Sequence, residues 1–234
     1  MRYPGALNLI KSTSFLPSLA GLLIALCSAS AFSQNVSSDC GSLENHYGPI
    51  DYRTNPKNLA LVVDAHFTPI VEALIRGSTT LRPGGDIDYT LRAIPNNHRA
   101  LIAMMRLGEK EKTSQPNGSK YTFECWFIRA TVFRPDDTVV RMIYANYLYK
   151  IGRIPDANTQ LELATSYSKD NGLTYYNVGL HYFDFKNYDK ALLNAHKALA
   201  LGWTHGDLRD QLIRVGKWRE PKTKKLSIVP VNNE

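Results

Sequence analysis

The chain of 234 residues has little cysteine, only one apolar run of any length and no catalytic signature. It contains no Gly-x-Ser-x-Gly, His-Glu-x-x-His, Walker loop or Cys-x-x-Cys. A nucleophile elbow, a zinc-protease helix, a phosphate cradle and a thiol redox pair therefore have no signature in it. Acidic charge is in the minority, since 28 Lys+Arg oppose 21 Asp+Glu for a net +7. The excess is spread along the chain, without the dense basic stripe of a nucleic-acid footprint, so nucleic acid is not expected as a partner. The apolar run, Phe15 to Cys27, is shorter than the roughly 20 residues that cross a bilayer, and it holds Pro17. With 44% apolar and 21% charged residues, the remainder fits one globular domain or two small ones.

That run suggests export. Arg2 and Lys11 precede it, and Ala29-Ser30-Ala31 or Ala31-Phe32-Ser33 follows with small residues suited to cleavage. Residues 1–33 read as a signal peptide, with the mature chain beginning near Phe32 or Gln34. A membrane anchor is the rival, and the bulky Leu26 argues against lipidation of Cys27. Cleavage leaves no transmembrane segment, a net charge of +5, and Cys40 and Cys125 as the remaining cysteines. An even pair in an oxidising compartment is most simply a disulfide. Two buried thiols or a metal pair are the alternatives, and neither has partner residues at ligand spacing. No metal or cofactor is expected.

A 34-residue interval organises the second half. Superposing residues 138–171 on 172–205 aligns Ala145 with Gly179, Leu148 with Tyr182, Ala157 with Ala191 and Ala164 with Ala198. Small side chains recurring at that interval mark points where helices approach closely. In residues 172–205 the run of Tyr175, Val178-Gly179, Tyr182, Asn187 to Ala191 and Ala198 resembles the tetratricopeptide repeat family. Residues 138–171 keep the same frame through Tyr144-Ala145, Gly152-Arg153, Ala157 and Ala164. One unit earlier, Ala130 and Pro135 match the family's late Ala and terminal Pro. The first helix there spans Asn97 to Leu107, and the polar stretch Glu109 to Lys120 is a loop insertion.

The resemblance covers residues 96–205, as units 96–137, 138–171 and 172–205. It implies an all-α fold: a short right-handed stack of helix-turn-helix units. Asp207 to Trp218 would form an amphipathic cap with Leu208, Leu212, Ile213 and Trp218 inward. Residues 219–234, with Lys222, Lys224 and Lys225, read as a basic flexible tail. Residues 34–95 form an irregular helical N-terminal region. In it, Thr68 to Ile75 predicts a helix with Thr68 as N-cap and Gly77 as stop, and Asp86 to Ala93 a second helix. The stretches HFTPIVEALIRG and GGDIDYTLRAIPNNHRALIAMMRLGEK resemble small exported bacterial tetratricopeptide proteins.

In that family the inner faces of the first helices line a concave groove. The resemblance places the groove here at Met142, Asn146, Tyr149 and Lys150, then Tyr176, Asn177, Leu180 and Phe183, whereas Tyr144, Tyr175 and Tyr182 fall at packing positions. Asn146 and Asn177 are similar in position to asparagines that hold a peptide's terminal carboxylate, but Met142 stands where a Lys is expected. The resemblance implies a non-enzymatic scaffold binding an envelope protein or peptide, with its oligomeric state open. One alternative is an enzyme or small-ligand site around Asp86, Asp88 and His98, set against the plainer view of Gly84-Gly85-Asp86 as a turn and helix cap. Another is an envelope-surface adaptor using the basic tail. His181 and Asp184 share a helical face, which more often means solvated surface than a metal or proton-relay site.

Overall fold

The computed structural model describes residues 40–54 and 56–221. The expected signal peptide 1–33, its cleavage site and the tail from Lys222 onward lie outside the described residues. Every regular element within them is a helix, and no strand occurs there. In order they are α1 (Pro56–His66), α2 (Pro69–Glu72), α3 (Pro83–Ala93), α4 (His98–Glu111), α5 (Phe123–Phe133), α6 (Thr138–Lys150), α7 (Ile154–Tyr167), α8 (Gly172–Asp184), α9 (Tyr188–Ala200) and α10 (Asp207–Arg214).

Short polar side chains start half of these helices. Asn97, Thr122, Asp137, Asn171 and Asn187 each accept a backbone N–H from the first turn of the helix they precede, which satisfies donors that would otherwise be orphaned. The 34-residue interval recurs bond for bond in the turns. The Leu148 carbonyl accepts from Arg153 and the Tyr182 carbonyl from Asn187, while Tyr149 accepts from Gly152 and Phe183 from Lys186. Gly152 and Lys186 both adopt positive φ, at 80° and 59°. Ala145, Ala157, Ala164, Ala191, Ala198 and Gly179 are all buried, and α6 with α7 and α8 with α9 form the most intimate helix pairs. α6 also packs against α4, α5 and α8, and α10 lies over α8 and α9.

The N-terminal region departs from expectation in several places. α1 was not foreseen, although Leu59 and Val62 bury one face of it. The helix expected over Thr68 to Ile75 stops after Glu72, because Leu74 turns to φ 59° and buries itself, and Thr68 contributes no side-chain cap bond. α3 starts at Pro83, three residues before Asp86, since proline suits a first helical turn whose amide needs no partner. α4 runs on to Glu111 and so consumes the start of the expected insertion. At the other end, α10 stops at Arg214 and exposes about half of Ile213. Trp218 lies beyond the helix and returns edge-on to His196.

Two devices hold the N-terminal segment down. Cys40 and Cys125 form a disulfide with Cα atoms 5.0 Å apart, as expected of the pair. Ile50 donates to the Ala93 carbonyl at 2.8 Å, and a side chain at Gly48 would strike that same carbonyl. Among the described residues no helix is long and apolar enough to cross a membrane.

Two outcomes follow for stability. A Cβ at Gly108 would collide with the Phe123 ring and the Thr113 carbonyl, so Gly108→Ala should cost about 1–3 kcal/mol in urea unfolding, as overpacking does. The disulfide spans 85 residues. Replacing both cysteines with serine should lower stability by at most about 4–5 kcal/mol, the chain-entropy limit for such a loop, read from the same denaturation curves.

Candidate functional site

Four helices press on α6, and of the side chains it still shows to solvent Val139, Ile143, Asn146 and Lys150 fall on one strip, at spacings of four, three and four. The same strip on α8 is Leu173, Asn177, Leu180 and Asp184, and on α4 it includes Arg99, Ile102, Arg106 and Glu109. α4 packs against α6 and α6 against α8, and the α4 and α6 strips touch through the Glu109–Lys150 ion pair at 2.8 Å. Ile102, Val139 and Leu173 are each about two-fifths exposed.

Of the expected groove residues, Asn146, Lys150, Asn177 and Leu180 lie on these strips. Met142 and Tyr176 do not. Met142 is 5% exposed, because it sits on the flank of α6 that its neighbours cover. Tyr176 is buried where the chain folds back into α10. Its ring meets Trp203 at 5.8 Å and its hydroxyl lies 3.4 Å from Asp207. Tyr144 and Tyr182 are core residues as expected, but Tyr175 is only half-buried, beneath the ammonium of Lys197. Tyr149 and Phe183 are half-buried by other rings. Tyr149 stacks parallel on Phe185 at 4.0 Å, and Phe183 leans on Tyr188.

A cavity of about 330 Å³ opens where the ends of α4 and α6 meet the insertion. Met105, Phe123, Tyr147 and Ile151 give it apolar walls, and Glu109 and Lys150, paired at 2.8 Å, stand among its lining. Gly108 lets Phe123 approach α4 here. The pocket lies beside the α4 and α6 strips and has room for a large side chain.

Asp86, Asp88 and His98 serve three different local structures. Asp86 is fully buried and gathers the amides of Ser78, Thr79 and Thr80, the hydroxyls of Thr79 and Thr80, and His66 at 3.0 Å. It therefore clamps the 78–80 loop from inside α3 instead of capping that helix. Burial alone would raise its pKa, but the hydrogen bonds outweigh burial and hold the carboxylate well below its usual range. Asp88 holds Arg92 at 2.9 Å and the Lys120 amide. His98 meets Asp137 at 2.9 Å. Nor do His181 and Asp184 make a surface relay: the His181 Nδ1 is buried without a partner, and burial lowers the ring's pKa.

Asp137 was overlooked. Its carboxylate caps α6 through the amides of Val139 and Val140, and also takes Asn96 at 2.8 Å and His98. Asn96 donates onward to Asp51, which is bound by Arg53 and lies 2.8 Å from the Arg134 guanidinium. Burial pushes the pKa of Asp51 and of Asp137 up, and their hydrogen bonds bring both below the usual value. The signal was present in the sequence as the parallel Pro-Asn-Asn and Pro-Asp-Asp triplets at 95–97 and 135–137, each ending on a helix cap. Among the described residues, no group of three or more His, Cys, Asp or Glu is placed to hold a metal ion.

Comparison with family models, with curated proteins and with solved structures gives no match to this chain.

The buried carboxylates predict the acid limb of stability. The folded pKa values of Asp51, Asp86 and Asp137 lie below the ordinary 3.8. The unfolded chain therefore takes up protons first as pH falls, and the stability these groups supply above about pH 4 is lost progressively below it. Melting temperature should fall steeply from about pH 4 downward, and Asp86→Asn should give a shallower fall and a lower plateau at neutral pH, followed by circular dichroism.

Proposed function

We propose that the chain is a non-enzymatic protein-binding scaffold of the tetratricopeptide repeat kind, exported to the periplasm or cell envelope, which holds a partner across the exposed strips of α4, α6 and α8. The observation that carries this reading is the strip itself: Val139 on α6 and Leu173 on α8 hold the same exposed position one 34-residue interval apart, Ile102 adds an apolar contact on α4, and Asn146 and Asn177 supply amides. Amides on rigid helices can bond an extended peptide backbone, while neighbouring aliphatic groups take its side chains.

The repeat assignment draws support from the turn bonds and buried small residues that recur at 34 residues. Between the caps Asn97 and Asp137 the interval is 40 residues against 34 between Asp137 and Asn171, and the extra length falls in the connection that borders the 330 Å³ cavity. An insertion at that place gives the scaffold a pocket for one anchoring side chain at the edge of an otherwise shallow face. Export is supported by the disulfide, which persists in oxidising compartments.

Photo-crosslinking in the native host tests the face. A crosslinker at Asn146 or Asn177 should trap one defined protein. One at Leu193, which is exposed on α9, should not, and Leu173→Glu should abolish the adduct while changing stability by only about 0.5 kcal/mol. Equal trapping from both positions, or an adduct indifferent to Leu173→Glu, would refute the proposed face.

A further inference from the structure

Arg129 is 1% exposed, yet no carboxylate pairs with it. Its Nη1 donates to the carbonyls of Cys40, Gly41 and Ser42 at 2.9, 3.3 and 2.7 Å, and its guanidinium lies 4.6 Å from the centre of the Tyr121 ring. Its Nε is buried and has no acceptor. A buried charge held directly by neutral carbonyls and a ring, with Asp88 acting on it only from beyond hydrogen-bond reach, is under-compensated. In keeping with that, burial lowers the pKa of this arginine.

Beside it opens a second cavity of about 340 Å³, lined by Gly41, Ser42, Glu44, Asn45, Arg92, Lys120, Tyr121 and Arg129. Three cations border this space. Arg92 is already committed to Asp88 and to the Asn45 side chain, at 2.9 and 3.0 Å. Lys120 is different: its backbone amide binds Asp88, while its ammonium stands over the Tyr121 ring at 5.3 Å and joins no ion pair among the described residues. Glu44 is the one carboxylate in the lining, and it lies exposed with no salt bridge. Asp88 and Glu44 together leave one positive charge unmatched among the three cations.

We propose that this cavity is a binding site for a small organic anion, a carboxylate or a phosphate ester, held by Lys120 with Arg129 at its back and Arg92 at its side. The volume exceeds what a bare oxyanion fills, and the Ser42 hydroxyl and Tyr121 ring offer contacts for a polar organic body. The site is formed by the segment that the disulfide pins against α5, so the Cys40–Cys125 bond helps hold its wall in place. Such a ligand would bind independently of the α4–α6–α8 face.

Thermal melts of the full chain with its disulfide intact, at ionic strength matched with sodium chloride, test the site. Acetate, succinate, inorganic phosphate, sulfate and glycerol 3-phosphate are the probes. Succinate or glycerol 3-phosphate should raise the melting temperature saturably, and which one binds more tightly separates organic acid from phosphate ester. The fitted dissociation constant should weaken at least tenfold in Lys120→Gln, recover in Lys120→Arg, and stay unchanged in Lys217→Gln, which removes the same charge after α10. The proposal is overturned if no organic probe stabilises the wild type beyond matched chloride, if the inorganic ions do as well as the organic ones, or if Lys120→Gln and Lys217→Gln respond alike. Should Lys120→Gln not fold, the wild-type series together with Lys120→Arg decides, because loss of saturable binding in the arginine variant also contradicts a charge-held ligand.

Discussion

A carboxylate taken out of water must find donors inside the protein or surrender its charge, and at Asp137 the donors come from two sides. The first amides of α6 supply one set, and Asn96 and His98, at the entrance to α4, supply the other. One side chain thus sets where α4 starts relative to α6. Asp51 extends the same arrangement outward, gathering Arg53, Asn96 and Arg134 so that the chain before α1 is fixed to the same joint. The apolar core follows from this placement: Trp126, Phe127, Leu101 and Met104 fill the space between helices whose ends are already positioned. The relative placement of α4 and α6 is tied to that buried charge.

The second half of the fold was legible because its constraints are local and repeated. Alanine or glycine at 145, 157, 164, 179, 191 and 198 can be read from spacing alone, and the same residues are buried at helix crossings. The cysteine pair was legible by counting. The first half was harder, since its elements are short and decided by long-range partners. Nothing local tells that Leu74 turns left-handed to reach the core, or that Asp86 leaves its own helix cap to hold a loop. The face of α8 shows the same limit. Tyr175 and Tyr176 are neighbours about 100° apart on the helix, and burial of Tyr176 depends on Trp203 and Asp207 arriving from beyond the unit. Met142 was misplaced for a related reason, because the number of helices packed around α6 is a property of the assembly.

The molecule presents two surfaces of different chemistry. The exposed strips of α4, α6 and α8 mix aliphatic, amide and charged side chains. The hollow beside Arg129 is small and cationic, built from a tether that lies over α5 instead of from a repeat. Two of the larger hollows border irregular parts, the insertion before α5 and the segment around Cys40. A smaller one of about 110 Å³ lies where α8 and α9 meet the turn into α10.

The bond between Cys40 and Cys125 makes α1 to α4 part of a covalent ring, while α6 to α10 lie outside it. Each helix pair touches chiefly its neighbours, so a force or protease acting at the free end peels α10, α9 and α8 away in turn. The ring stays closed behind them. Unravelling from that end would therefore have a polarity, running from α10 toward the ring.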